Sequence, residues 1–540
     1  MKKLLLFAIL CLSVFHALAQ RHLQWTTFEV TPHMEINDNR GMATDKNGYT
    51  YFIDFTQSNI DYYMTYRFFC YDANGIKKWQ YDNDSCFTDC NDIYNTVLPL
   101  DDSGAIFVGY YETLSGVVLR LKRIGLNGNL VWQKDLTGSY QKLLPVASHL
   151  DKDGNVVIAL DEWTSAVTSD DYGFAKFSRA GNLLWHTTLP PDSSTTGAHI
   201  AEVISDMVVG PDNNIYACGE STDEATGMSV GNYLIKLSST GSLDYKVLTN
   251  ISDSGADNKI IADGVGNISM LGVVAAIPYL ETRKAADGSF LWLQPIKLDD
   301  SATVTAVSFT HDVSNSIYVL SDYKHFLKDT VGGHFSHDEY MVSKYSPTGS
   351  LNWQKSYFTD TSAATSDDAI QISACNDYLY VTSEKNEASG HAYILLQKMN
   401  INGTNIWHDS AAMDYKAGNL AFDNNCNVYL SYSSRLGHSS IVNVTRKFTD
   451  YPATVTTIAN DHSVSIYPNP ANERVTLSYN SVTDASSIAV LYDINGRTVK
   501  SISLKGDKAY ISTASLPAGL YVCKTIVNGQ ITANKISIQH

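Results

Sequence analysis

The sequence lacks any apolar run long enough to cross a bilayer, because its longest, residues 4–15, is well short of the ~20 residues that a membrane helix needs. Positive charge is also scarce: 39 Lys and Arg residues stand against 56 Asp and Glu residues, a formal charge of −17. An acidic protein repels phosphate groups. We therefore expect neither a transmembrane anchor nor a nucleic-acid partner.

Compact metal and cofactor motifs are missing too. The segment Asp151–Asn155 resembles the start of a calcium loop but lacks the remaining ligands and the closing Glu. His325, His334 and His337 share one polar segment and could supply zinc ligands, although no His-Glu-x-x-His motif is present. The favoured interpretation is a polar surface loop with solvated histidines. No metal site and no cofactor are predicted, and these histidines are the only weak candidates.

One serine motif needs a separate decision. Residues 227–231, Gly-Met-Ser-Val-Gly, fit the pattern of a nucleophile elbow. That motif requires a strand before it and a helix after it. Here the segment lies in a predicted loop that leads into another strand, so we interpret it as a chance match.

Cysteines are few, and their number is odd after export. Of eight, Cys11 lies in the N-terminal segment, which leaves seven, so at least one is unpaired or pairs between chains. Only Cys86 and Cys90 are close in sequence. An oxidising compartment permits a disulfide between them, and the sequence leaves open whether the two cysteines pair or stay reduced.

The first nineteen residues have the pattern of a secretory signal. Met1-Lys2-Lys3 is a charged start, an apolar region follows, and Ala17-Leu18-Ala19 is a small-x-small cleavage site. We expect residues 1–19 to be removed, which changes the formal charge to −19 because Lys2 and Lys3 are lost.

A repeated pair organises the next 400 residues: an aromatic residue follows a glycine by four positions. The aromatic positions are 53, 53, 60, 47, 61 and 54 residues apart. The pairs are Gly75/Trp79, Gly128/Trp132, Gly181/Trp185, Gly241/Tyr245, Gly288/Trp292, Gly349/Trp353 and Gly403/Trp407. A repeat of this length built from short strands predicts a β-propeller over residues 20–448.

Each repeat also contains an Asp/Asn/Gly turn before its Gly/Trp pair, such as residues 45–49 or 151–155. These residues tolerate positive φ and predict hairpins, so a repeat becomes a four-stranded blade with strands A to D. A basic residue stands five positions before the glycine in six repeats, which indicates an architectural role. The pattern resembles the tryptophan-docking repeats of PQQ-like propellers. The adjacent-cysteine ring of PQQ-dependent dehydrogenases is absent, so that enzymatic function is not expected.

The blade count depends on the two ends of the region. There are eight Asp/Asn turns but seven Gly/aromatic turns, and residues 22–28 form an unassigned strand containing Trp25. We predict that this strand supplies strand D of the last blade and closes the ring. Eight blades are predicted, and seven are the alternative.

Strand order places the short A–B and C–D turns on one face and the longer B–C and D–A connections on the other. The longest connection is predicted over residues 321–340. Functional residues usually lie on variable loops held by a rigid scaffold. We therefore expect a glycan or protein ligand on the long-connection face, with Tyr62, Tyr63 and Tyr66 among its contacts.

The last part of the chain differs in charge and pattern. Residues 449–462 form a predicted linker, and residues 463–540 carry seven basic and four acidic residues. Short alternating strands there predict a small Ig-like sandwich. Four motifs occur in order: Tyr467-Pro468-Asn469-Pro470, Asn495-Gly496-Arg497, Pro517-Ala518-Gly519-Leu520-Tyr521, and residues 535–538 beginning with Lys535.

These motifs closely resemble the type A C-terminal sorting domain of the type IX secretion system of Bacteroidetes. The resemblance implies export through the periplasm, with the secretion machinery as a partner, to the medium or the outer cell surface. Two functions remain open for the propeller: a binding or scaffold protein without catalysis, which is preferred, or a hydrolase or lyase with its site on the long-connection face.

Overall fold

The computed structural model of the protein describes residues 23–30, 34–58, 63–83, 86–87, 92–101, 104–113, 116–137, 140–164, 171–189, 200–251, 258–274, 277–297, 302–328, 334–357, 366–386, 392–413, 419–436, 440–449, 464–479, 487–493, 498–527 and 530–540. The chain divides into two compact units, residues 1–450 and 451–540. The predicted signal segment and most of the predicted linker lie outside the described residues. In the described part, no helix is long and apolar enough to cross a membrane.

The described strands of the first unit pair as eight antiparallel groups of four, here called quartets. The N-terminal strand β1 (Leu23–Val30) belongs to the last of them. The first quartet comprises β2 (Met34–Thr44), β3 (Thr50–Ser58), β4 (Tyr63–Tyr71) and β5 (Lys77–Asp82), with the short β6 (Cys86–Phe87) beside β4. The second comprises β7 (Asp92–Leu100), β8 (Gly104–Thr113), β9 (Gly116–Ile124) and β10 (Leu130–Asp135). The third comprises β11 (Tyr140–Leu150), β12 (Val156–Thr164), β13 (Asp171–Phe177) and β14 (Leu183–Thr188).

The next four quartets repeat the same order of strands. The fourth and fifth comprise β15 (Ile200–Val209), β16 (Ile215–Asp223), β17 (Met228–Leu237) and β18 (Leu243–Leu248), and then β19 (Lys259–Ala262), β20 (Asn267–Val274), β21 (Ile277–Lys284) and β22 (Phe290–Pro295). The sixth comprises β23 (Ala302–His311), β24 (Ile317–Lys328), β25 (His334–Tyr345) and β26 (Leu351–Tyr357). The seventh comprises β27 (Ser366–Cys375), β28 (Tyr378–Asn386), β29 (Ala392–Asn400) and β30 (Asn405–Met413).

The eighth quartet combines both ends of the unit. It contains β31 (Leu420–Phe422), β32 (Val428–Leu436), β33 (Ser440–Phe448) and then β1. Strand β1 pairs antiparallel with β33, with Trp25 opposite Lys447 and Thr27 opposite Thr445. The N-terminal strand therefore pairs as the fourth strand of the last quartet, as the sequence predicts.

Turn chemistry explains the first hairpin of five quartets. In the first quartet, the Asp45 carboxylate accepts hydrogen bonds from the backbone N–H groups of Asn47 and Tyr49, both at 2.9 Å. The same arrangement recurs at Asp151, Asp263, Asp312 and Asp423. The Asp151 carboxylate is thus engaged by the backbone of its own turn and by the Lys176 ammonium at 2.8 Å.

The hydrophobic core lies between neighbouring quartets, one cluster per junction. Phe68 and Phe107 stack across the first junction with ring centroids 4.1 Å apart. Because a sheet inside this series packs against two neighbours, both faces of its middle strands are buried, and every residue of β13 is buried. This layering of four-stranded meanders is the architecture of a β-propeller.

Aromatic residues dock each quartet onto the next. All seven repeat glycines have φ between 70° and 88°. A Cβ added to any of them would come within 2.6–3.0 Å of the aromatic side chain of the preceding quartet. The docked pairs are Trp25 on Gly75, Trp79 on Gly128, Trp132 on Gly181, Trp185 on Gly241, Tyr245 on Gly288, Trp292 on Gly349 and Trp353 on Gly403. Glycine is required because it alone combines the left-handed conformation with this close approach.

Hydrogen bonds add to several of these aromatic–glycine contacts between neighbouring quartets, here called joints. The Trp185 indole N–H donates to the carbonyl of Ser239 at 3.2 Å, and the Lys176 ammonium donates to that carbonyl at 3.1 Å. Trp353 and Lys344 share the carbonyl of Ile401 in the same way. The recurring basic residue is therefore architectural, as its repetition predicts.

The eighth quartet lacks the Gly turn, and Phe448 takes its place. The Trp407 ring stacks on Phe448 with centroids 5.8 Å apart. A disulfide, Cys375–Cys426, joins the first turns of the seventh and eighth quartets. Sequence reasoning missed this pair because the two cysteines are 51 residues apart. Cys90 lies outside the described residues and the Cys86 side chain is not described, so their pairing stays a prediction.

The second unit contains seven strands among its described residues. They are β34 (Ser465–Tyr467), β35 (Arg474–Ser478), β36 (Ile488–Tyr492), β37 (Thr498–Ser503), β38 (Lys508–Ser512), β39 (Gly519–Val527) and β40 (Gln530–Ile538). They form one sheet of order β34-β35-β38 and another of order β37-β36-β39-β40. Val475, Leu491 and Ile536 belong to one core that both sheets share.

Candidate functional site

Three of the four sorting motifs meet at the last strand of the second unit. The Asn469 amide donates to the carbonyl of Lys535 at 2.7 Å, and its oxygen accepts from the N–H of Ser537 at 2.8 Å. Backbone bonds of Ala471 with Ser537 and Gln539 continue this link. The Tyr467-Pro468-Asn469-Pro470 turn is thereby held against β40. Both proline peptide bonds of this turn are cis.

The third motif packs on the same strand. Tyr521 lies opposite Ile536 in the register of β39 and β40, and its hydroxyl donates to the carbonyl of Pro517 at 2.8 Å. Gly519 lies opposite Ile538. Gly496 and Arg497 of the remaining motif lie outside the described residues. The motifs are distant in sequence, so only the fold brings these three together.

Exposure separates the motif residues into two roles. Ile536 and Ile538 are buried in the core, whereas Tyr467 is 46% exposed and Lys535 is also exposed. The buried residues hold the strand, and the exposed ones are available to a partner. Cys523 lies beneath them in the core, and burial raises the pKa of its thiol to about 12, so it stays protonated at neutral pH.

Of the three tyrosines predicted for the ligand face, the structure describes the side chain of Tyr66 alone. Tyr62 lies outside the described residues, and Tyr63 begins β4 with no description of its side chain. Tyr66 is only 4% exposed and packs against Phe55 and Tyr94. The Tyr66 ring thus lies in the core of the first junction, and a ligand contact by these tyrosines stays a prediction.

The predicted long loop of the sixth quartet is instead a long hairpin. Strands β24 and β25 pair continuously from Ile317↔Tyr345 to Lys328↔His334. His325 lies opposite His337, and His334 lies opposite Lys328. Their side chains are not described, so a zinc site there stays untested. Among the described side chains, no group of three metal-binding residues is present.

The segment of residues 227–231 has no nucleophile elbow. Gly227 belongs to a turn, and the chain then continues as strand β17, in which Ser229 pairs with Thr222. Ser229 is exposed, and no helix follows it. The interpretation of a chance match agrees with this geometry.

A charged cluster lies where the long connections enter the second quartet. Arg120 donates to both oxygens of Asp135 at 2.8 Å and to Asp92 at 2.8 Å, and its guanidinium lies 4.0 Å from the ring centroid of Tyr111. The hydrogen bonds to Asp135 are the main reason that the pKa of Arg120 is raised. Because the guanidinium is occupied by both carboxylates, this cluster is best suited to fixing the ends of strands.

The short-turn face carries a cavity of about 280 Å³ between the fourth and fifth quartets. It is lined by Asp212, Tyr216, Asp263, Asn267, Ala285 and neighbouring residues of the same turns. Burial opposes ionisation of Asp212, but hydrogen bonds from Tyr216 and Asn214 outweigh it and lower the pKa of that carboxyl. Sequence reasoning had no signal for this cavity, which depends on the spacing of two neighbouring sheets.

Comparison with known proteins identifies the tail. Residues 465–539 match the family described as the secretion system C-terminal sorting domain. No curated protein matches the chain.

Among solved structures, the polysaccharide lyase Uly1 matches with 10% identity and a TM-score of 0.43, covering 76% of this chain and 90% of that one. The Dos1 propeller matches with 11% identity and a TM-score of 0.43, covering 77% and 95%. The β-propeller domain of the Trilobed protease from Pyrococcus furiosus matches with 8% identity and a TM-score of 0.37, covering 68% and 96%.

These likenesses are too remote to bear on function. The propeller assignment rests on the strand pairing and the docking contacts described above. The sorting tail indicates a protein that is secreted or placed on the cell surface. The chain is therefore a β-propeller protein that ends in a type IX secretion sorting domain.

Proposed function

We propose that the mature protein is an exported binding or scaffold protein whose propeller is a closed ring of eight blades. The observation that supports closure of the ring is the joint between the eighth and first quartets. Trp25 docks on Gly75 and donates to the carbonyl of Ala73 at 3.0 Å, and Lys447 donates to that carbonyl at 2.9 Å. This is the joint found between other neighbouring quartets.

Further contacts across the same boundary support closure. The Asn443 amide of the eighth quartet donates to Asp54 of the first at 2.7 Å. The Tyr429 hydroxyl lies 3.4 Å from the carbonyl of Gly48. A closed ring protects its end quartets from pairing with other chains. We assign residues 20–448 to the propeller, 449–462 to a linker and 463–540 to the sorting domain.

A binding role is preferred because the repeated residues have architectural partners. The Trp, Gly, basic and Asp residues of the repeats are used by joints and turns. What differs between quartets is the set of long connections, including the hairpin of β24 and β25. A partner is therefore expected on the long-connection face, and a glycan or a protein are the two classes to screen.

Export is tested by truncation. A chain ending at Phe448 keeps every strand of the propeller and lacks the sorting tail, so it should fold and stay in the periplasm. Fractionation of the native host with an antibody to the propeller measures this, and the full chain is the control. Normal surface or medium levels of the truncated chain would show that the tail does not direct export.

The binding face is tested with glycan and protein arrays probed by residues 20–540, with and without divalent metal. One variant replaces residues 326–337 by a Gly-Ser link, and another carries Tyr62→Ser and Tyr63→Ser. Val313→Ser is the matched control, because Val313 is 78% exposed on the short-turn side of the same quartet as the hairpin. Loss of binding in the control alone would place the partner on the opposite face.

A further inference from the structure

The three-stranded sheet of the second unit has one face in the core and one in solvent. Val475, Leu477 and Ile511 point into the core. The alternate positions of the same strands form the solvent face, here called the platform: Ser465, Tyr467, Arg474, Thr476, Ser478, Lys508, Tyr510 and Ser512. This alternation follows from the two-residue period of a strand.

Two exposed tyrosines lie in one row across the platform. Tyr467 pairs with Thr476, and Thr476 pairs with Tyr510, so the rings lie on either side of a small residue. Tyr467 is 46% exposed and Tyr510 is 58% exposed. Two strand spacings separate them, roughly 9.6 Å. That separation is close to the length of a disaccharide in an extended, β-linked sugar chain.

Basic side chains lie on the platform beside this row, and the exposed Glu473 and Asp507 precede them at the starts of the two strands. Arg474 lies 5.5 Å from the ring centroid of Tyr510, and Lys508 is exposed two residues before that tyrosine. The Lys500 ammonium reaches the platform edge, where it donates to the carbonyl of Ser512 at 2.7 Å. None of the eight platform residues is acidic. The remaining positions are Ser and Thr, whose hydroxyls both donate and accept hydrogen bonds.

We propose that the platform binds an extended acidic polysaccharide. Tyrosine rings offer flat apolar area to the C–H face of a sugar together with a hydroxyl for hydrogen bonding. Alternate sugars stack on Tyr467 and Tyr510, and Arg474 and Lys508 pair with carboxylates of the chain. An open sheet face suits an extended polymer, whereas a small molecule would favour a concave pocket. This site is separate from the propeller and does not depend on its function.

The test uses the mature full chain, residues 20–540, and titration calorimetry with two probes. Oligomers of β-1,4-linked mannuronate supply the acidic chain, and cellohexaose supplies a neutral β-1,4-linked chain. The mannuronate oligomers are expected to bind more tightly than cellohexaose. Added salt is expected to lower the affinity for mannuronate, because the paired charges are exposed. Equal affinity for the two probes, or no binding of either, overturns the proposal.

Variants separate stacking from charge. Tyr467→Ser and Tyr510→Ser should each weaken mannuronate binding about tenfold, the loss expected for one aromatic contact. Lys508→Gln should weaken it and reduce its salt dependence. Tyr492→Ser is the matched control, because Tyr492 ends β36 in the other sheet. The affinity of this variant for mannuronate should equal that of wild type. Unchanged melting temperatures confirm that the exposed changes leave the fold intact.

Tyr467 also belongs to a sorting motif, so the secretion machinery is the competing occupant. Tyr510 lies outside the four motifs and separates the two cases. If Tyr510→Ser stops delivery to the cell surface while mannuronate affinity is unchanged, the platform is a protein contact and the proposal is overturned. A tenfold loss of affinity with normal delivery supports it.

Discussion

Removal of the Trp25 indole is expected to weaken the joint between the eighth and first quartets. Trp25→Ala deletes the ring that covers Gly75, the hydrogen bond to Ala73, and the edge contact with Tyr429 at a centroid distance of 6.0 Å. Buried Trp→Ala changes cost about 3–5 kcal/mol. Because Trp25 is only partly buried, we expect the lower end, about 3 kcal/mol.

That free energy corresponds to a small thermal shift in a domain of this size. The entropy of unfolding scales with length and is roughly 0.9 kcal/mol/K for about 430 residues. A loss of about 3 kcal/mol should therefore lower the melting temperature by about 3 °C. Differential scanning calorimetry of residues 20–448 resolves such a shift.

A double-mutant cycle makes the assignment specific. Gly75→Ala places a Cβ at φ +78° and 2.6 Å from the Trp25 ring. Its cost in the wild type combines left-handed strain with this clash, whereas in Trp25→Ala only the strain of about 1–3 kcal/mol remains. The two changes should therefore couple by about 1–3 kcal/mol.

Trp163→Ala is the matched control. It also removes an indole from a strand of this unit, but Trp163 takes no part in the repeated joint, so it should not couple with Gly75→Ala. If Trp25→Ala leaves the melting temperature unchanged, or if the two cycles give equal coupling, the N-terminal strand does not close the ring.

Two further predictions concern stability. Changing Cys375 and Cys426 to Ser should cost about 4 kcal/mol, because the disulfide closes a 51-residue loop in the unfolded chain; calorimetry of the oxidised wild type and the oxidised double variant checks it, and equal melting temperatures would contradict it. Burial lowers the pKa of Lys398 to about 8 from the usual 10.5, so the buried charge penalises the fold below pH 8 and the penalty is relieved as pH rises towards 10.5. The melting temperature of wild type relative to Lys398→Met should therefore rise between pH 8 and 10.5, because only wild type loses the buried charge in that range; a constant difference from pH 7 to 10.5 would refute this cause.

Local patterns in the sequence determined most of the secondary structure. The Asp turns, the Gly/Trp pairs and the alternation of strands depend on residues within a few positions of one another, and those that fall in the described residues lie where they were predicted. The missing eighth Gly/Trp turn predicted the pairing of β1 with β33, because an unpaired strand at each end of a repeat array has one partner available. The sorting motifs were recognisable for the same reason: each is a short continuous segment.

Only the tertiary structure decided which distant residues meet. Cys375 and Cys426 form a disulfide because the seventh and eighth quartets lie side by side, and Tyr66 is buried because the first junction uses its ring. The polar composition of residues 321–340 predicted a loop, yet pairing across the hairpin kept both strands extended. Tyr467 and Tyr510 lie in one row although 43 residues separate them, since strand order, which depends on packing of whole sheets, places β34 and β38 on either side of β35.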